Sequence, residues 1–178
     1  MRTIISTSTF LIIASLLSVA QPSHAEAPEI KTVGPIIYLA DNLDEEASLG
    51  WCIDTDGREL TDQLHAHSCK PSGDDVLFTY AADSGMIESA TYAGLCMAFN
   101  APDNAVNPFG LIACDETDEA QSFAYDEASM EIRLSTDVAQ CLTVAKTIDN
   151  AGPFQSRDLI LAACEGLEPS FKQWVIRQ

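Results

Sequence analysis

Six cysteines recur along this chain at a near-constant period, and other residues keep step with them. Cys52, Cys96 and Cys141 stand 44 and 45 residues apart, and Cys69, Cys114 and Cys164 stand 45 and 50 apart. Phe78, Phe123 and Trp174 each follow the second cysteine of a pair by nine or ten residues. Ile87 and Ile132 precede Cys96 and Cys141 by nine. One unit of about 45 residues, present three times, accounts for all of these spacings. Such a unit cannot bury its own apolar face, so the three must share one core to which the aromatics contribute. Register also narrows the cysteine pairing. Each unit most simply closes on itself, as Cys52–Cys69, Cys96–Cys114 and Cys141–Cys164.

Within the unit the apolar pattern alternates over four to six residues between turns rich in Asp, Gly, Ser, Asn and Pro, which is the signature of strands. First strands are expected at 36–39, 86–89 and 131–134, and second strands at 51–53, 95–97 and 141–144. Third strands fall at 63–65, 110–114 and 159–162, and fourth strands at 76–80, 121–125 and 174–176. The acidic stretch 41–48 lacks an apolar stripe and is expected as an exposed loop.

The first 25 residues read as a signal peptide: Arg2, an apolar run over 10–20, then Ser23 and Ala25 at the −3 and −1 positions of a cleavage site. The run is too short to span a bilayer. Residues 26–178 then form a single domain, with repeats at about 34–81, 82–126 and 127–178. An even cysteine count behind an export signal places the protein in a periplasm or outside the cell, where disulfides persist. The formal net charge of −18 disfavours nucleic acid and anionic membranes as partners.

Three further segments carry a family pattern. Cys52-Ile53-Asp54-Thr55-Asp56-Gly57 opens the first unit, while Gln121-Ser122-Phe123 and Lys172-Gln173-Trp174 close the second and third. With the threefold repeat, over residues 34–178, the chain resembles the ricin B-type lectin family, whose units join a Cys-x-Asp strand to a Gln-x-Trp strand. The resemblance implies an all-β chain: a β-trefoil of about twelve strands with pseudo-three-fold symmetry. The chain departs from the pattern at Val76 and Lys172, which stand where Gln is usual, and at Phe78 and Phe123, which replace Trp. The third unit carries an insertion at about 147–156.

The resemblance also points to a sugar site in one repeat. A carboxylate accepts charge-assisted bonds from hydroxyls, and an aromatic ring stacks on the sugar's apolar side. In the first unit Asp54 holds the carboxylate position, His67 the stacking position with His65 beside it, and Asp75 the position of an amide. In the other units Ala98 and Thr143 replace the acid, and Ile112 and Ala162 the ring. Sequence motifs of hydrolases, zinc enzymes and P-loops are missing, and the acidic runs at 41–46 and 115–119 lack the spacing of a calcium loop. The expectation is a non-catalytic, exported carbohydrate-binding protein without cofactor or metal, its partner a glycan or glycoconjugate. The alternative is a trefoil that grips or inhibits a protein and keeps only a vestigial sugar site.

Overall fold

The computed structural model describes residues 26–57, 62–99 and 108–178; the expected signal peptide at 1–25 lies outside them. The first repeat forms β1 (Ile36–Leu39), β2 (Trp51–Thr55), β3 (Leu64–Ser68) and β4 (Phe78–Ala81). The second forms β5 (Met86–Ser89), β6 (Leu95–Phe99), β7 (Phe109–Ala113) and β8 (Phe123–Asp126). The third forms β9 (Glu131–Leu134), β10 (Asp137–Val144), β11 (Asp149–Ala151), β12 (Phe154–Ala163) and β13 (Trp174–Arg177). Two short 3-10 turns, Glu119–Gln121 and Pro169–Phe171, precede β8 and β13. No helix among the described residues is long and apolar enough to cross a membrane.

Each repeat's last strand pairs with the first strand of the next: β4 with β5, β8 with β9, and β13 back onto β1. This cyclic pairing closes the chain into a trefoil and leaves β2–β3, β6–β7 and β10–β12 as three hairpins. Phe78, Phe123 and Trp174 are fully or almost fully buried and meet Ile37, Ile87 and Ile132 in one cluster. At one junction backbone meets backbone without room for a side chain. Gly85 has φ +74°, donates to the Ala81 carbonyl and accepts from the Phe123 amide, and a Cβ there would fall 2.5 Å from the Phe123 oxygen.

Cys52–Cys69, Cys96–Cys114 and Cys141–Cys164 are the three disulfides, each within one repeat. Thirteen strands occur among the described residues where about twelve were expected, because the third-repeat insertion makes a strand of its own. There β11 pairs with β12, and the same end of β12 runs on across the molecule to pair with β3, Ser156 opposite His67 and Asp158 opposite His65.

The acidic stretch 41–48 is not the exposed loop expected of it. Asn42 and Glu45 are buried. The Glu45 carboxylate accepts from the Ala47 and Leu49 amides and from Ser68 Oγ at 2.7 Å, while the Trp51 indole donates to the Asn42 carbonyl. A carboxylate supplied with three donors can leave water, and these donors fold the loop onto the barrel.

Candidate functional site

On β2 the side chains alternate, so Trp51 and Ile53 enter the core while Cys52 and Asp54 face the other way. Across the β2–β3 register Asp54 lies opposite His65, and Cys52 opposite His67. Four of the features that sequence places at a sugar site are therefore gathered by one hairpin and the turn after it.

Asp54 has no exposed surface. Lys70, the residue after Cys69, sets its ammonium between two acids: Nζ is 2.7 Å from Asp54 Oδ2 and 2.6 Å from Asp75 Oδ2. Its directed hydrogen bond goes to Asp75, and the contact with Asp54 is an ion pair by charge. Neither Asp54 oxygen nor Asp75 Oδ1 has a directed hydrogen bond within the protein, and His65 Nε2 has no partner either. His67 Nδ1 lies 3.6 Å from Asp54 Oδ2 and 2.9 Å from the Ser68 carbonyl.

Burial governs the charges here. It pushes the Asp54 carboxyl up to about 7, against the opposing pull of the Lys70 ammonium. It holds the His65 imidazole down at about 4, and lowers His67 as well. Burial works against the Lys70 ammonium too, yet Asp54 and Asp75 outweigh it and raise its pKa. Near neutral pH the cluster thus holds one firm cation, two neutral imidazoles, and a carboxyl at Asp54 close to its midpoint.

Two members of the site come from residues that the sequence did not single out. Lys70 is one; the signal available was a cation, scarce in a chain with 9 Lys and Arg against 27 Asp and Glu, placed beside a disulfide cysteine. Phe154 is the other. It sits at the turn of the β11–β12 hairpin, half-buried, with its ring edge-on to His67 at 5.5 Å. Nothing local marks it, because it reaches the first repeat from the third. A shallow cleft opens beside His65, lined by Asp56, Leu64, Pro108 and Asp158.

The other repeats are built differently at the matching positions. Ala98 is buried, Thr143 donates its hydroxyl to the Phe171 carbonyl, and Ile112 lies on the surface. Among the described residues the one group of three potential metal ligands is Glu131, Cys141 and Cys164, and both sulfurs there are bound to each other.

No protein-family model matches the chain, and no curated protein matches it. Solved structures do. The earthworm R-type lectin C-half, in complex with GalNAc, aligns with TM-score 0.55 at 15% identity over 80% of this chain and 97% of that one. GalNAc-T7 with UDP, GalNAc and Mn2+ aligns with TM-score 0.55 at 14% identity over 85% of this chain, which spans only 23% of the GalNAc-T7 chain. The Haemophilus ducreyi cytolethal distending toxin aligns with TM-score 0.51 at 16% identity over 92% of this chain and 93% of that one. At such identities the likeness is one of fold: a disulfide-stapled β-trefoil of the kind seen in R-type lectin domains.

Proposed function

We propose that the protein is an exported, non-catalytic lectin-like module that binds a glycan at its first repeat. One observation carries the reading. Asp54 Oδ1, Asp75 Oδ1 and His65 Nε2 are buried in a single cluster and lack hydrogen-bond partners in the protein. Leaving such groups unpaired costs about 1–3 kcal/mol each, and the hydroxyls of a polyhydroxylated ligand, which donate to carboxylates and pair with either form of an imidazole nitrogen, would satisfy them. Lys70 fits the same role, since an ammonium has three N–H donors and Asp75 takes one in a directed bond, Asp54 being held by charge. With 15% side-chain exposure, it can turn a remaining N–H toward a hydroxyl. The half-buried Phe154 supplies the ring surface in place of His67, which is itself buried against Phe154 and His65. Three disulfides and the N-terminal signal pattern support an oxidising, exported location.

The test is a glycan panel of neutral and acidic oligosaccharides screened against residues 26–178 with all disulfides formed. Binding is expected, and Asp54→Asn should reduce it at least tenfold while near-UV circular dichroism stays unchanged. No binding to any glycan at millimolar concentration would sink the reading.

A second reading has its own observation. The buried Asp54–Lys70–Asp75 cluster also serves as an internal ion-pair staple, with the third-repeat hairpin laid over it. The protein would then be a trefoil that binds another protein through its loops. It predicts that Asp54→Asn lowers stability and leaves partner binding intact.

A further inference from the structure

The three core aromatics are each followed two residues later by a side chain that rings one end of the pseudo-three-fold axis: Tyr80, Tyr125 and Ile176. The two tyrosines are fixed by equivalent bonds, each to the next repeat. Tyr80 donates to the Phe123 carbonyl at 3.1 Å and accepts from the Tyr125 amide, while Tyr125 donates to the Trp174 carbonyl at 2.9 Å. Ile176, at the third position, has no hydroxyl to repeat the bond. The rings stand 6.1 Å apart at 67°, half-buried, over a cleft of about 370 Å³. Ala82, Glu127, Ile176 and Gln178 complete its wall, and no Lys or Arg lines it.

We infer that this axial cleft binds a substituted ammonium group, held between the Tyr80 and Tyr125 rings and the Glu127 carboxylate. Both hydroxyls are already used in bonds to main chain, so the rings can offer only their π surfaces to a ligand. An aromatic surface attracts a cation through its quadrupole, and alkyl substituents on nitrogen gain from apolar walls such as Ile176. Glu127 and Asp126 add negative potential at Tyr125. Their effect reaches the ring itself, because burial first and then these two carboxylates raise the pKa of the phenol. An anionic ligand meets no compensating charge in the cleft, and the chain's net charge of −18 disfavours it further. The cleft shares no residue with the first-repeat cluster and stands whether or not that cluster binds a glycan.

The experiment uses residues 26–178 with disulfides formed, titrated with choline and with its neutral isostere 3,3-dimethylbutan-1-ol, followed by tyrosine fluorescence and NMR line shifts. Saturable choline binding, about fivefold tighter than the isostere, is the expected result for cation–π contacts reinforced by one carboxylate. It should weaken at least threefold in Glu127→Gln, persist in Tyr125→Phe, and vanish in Ala82→Arg, which adds a competing cation at an exposed rim position. Equal affinity for the isostere, or no choline binding up to about 50 mM, roughly fiftyfold above the upper end of ordinary ligand concentrations, overturns the inference. Phosphatidylcholine vesicles then separate the sources. Retention on them, absent with phosphatidylglycerol, identifies a lipid headgroup, and no retention with choline binding intact identifies a free or peptide-borne ammonium.

Discussion

A carboxylate stripped of water costs several kcal/mol unless a cation and donors take water's place. Asp54 meets that cost mainly through Lys70, whose ammonium it shares with Asp75. Replacing Lys70 by Met should therefore destabilise the protein by about 3 kcal/mol at pH 8, where wild-type Asp54 is mostly ionised and the variant must bury it unpaired or spend free energy protonating it. At pH 5.5, roughly below the raised carboxyl pKa, Asp54 can take a proton and much of the loss should return. Urea unfolding at the two pH values checks this, and an equal loss at both would exclude a buried ionised Asp54. The same linkage gives a second expectation. The folded-state pKa of Asp54 is about 7 against an ordinary 3.8, so the folded form binds more protons and stability falls as pH rises through that window. His65 acts in the opposite sense: held at about 4 against 6.5, it binds fewer protons when folded, and stability rises with pH across that range. Asp54→Asn deletes only the falling contribution. Its stability should therefore climb more steeply between pH 4 and 7 than that of the wild type.

At the level of elements, the β11–β12 hairpin decides how the first and third repeats meet, and Arg157 anchors it. That guanidinium is buried, donates to the Ala145, Lys146 and Leu43 carbonyls, and stacks on Trp51 at 4.6 Å. Lysine offers neither the planar fork nor the stack. Arg157→Lys should cost about 2 kcal/mol in thermal or urea unfolding, and a neutral result would mean the hairpin docks without it. This hairpin also shows where sequence stops being informative. The extra residues were visible in the 50-residue spacing from Cys114 to Cys164, but their pairing with β3 depends on contacts some 90 residues distant. Phe154 was hidden for the same reason. Glu45 escaped because an acidic stretch reads as solvated until its donors are known, and one of these, Ser68, lies 23 residues on. By contrast the strands, cysteine pairs and core aromatics were legible, since each is fixed by local alternation and repeated three times. The departures at the Gln position are legible only in hindsight. Gln121 donates to the Ala113 carbonyl, and Lys172 does the same job at Cys164, with Glu131 balancing its charge at 2.7 Å.

For the whole molecule, two kinds of link hold the trefoil, and they fail differently. The disulfides close loops of 17, 18 and 23 residues inside single repeats, so they act on the unfolded chain and not on the contacts between repeats. Strand pairs β4–β5, β8–β9 and β13–β1, with the shared aromatic cluster, are what join one repeat to the next. Replacing Cys96 and Cys114 together by Ala should thus lower stability by about 3 kcal/mol while unfolding stays a single cooperative transition. Removing residues 127–178 should do something else. It takes away Trp174, the partner of β1, and the strand that covers β3, exposing Ile37, Leu39 and Phe78 to water. Two intact disulfides would remain in the fragment, yet no closed core would. The expected outcome for residues 26–126 is a broad, gradual melt with weak near-UV circular dichroism. A sharp transition in that fragment would show that two repeats suffice, and that the closure by β13 is an addition to a fold already made.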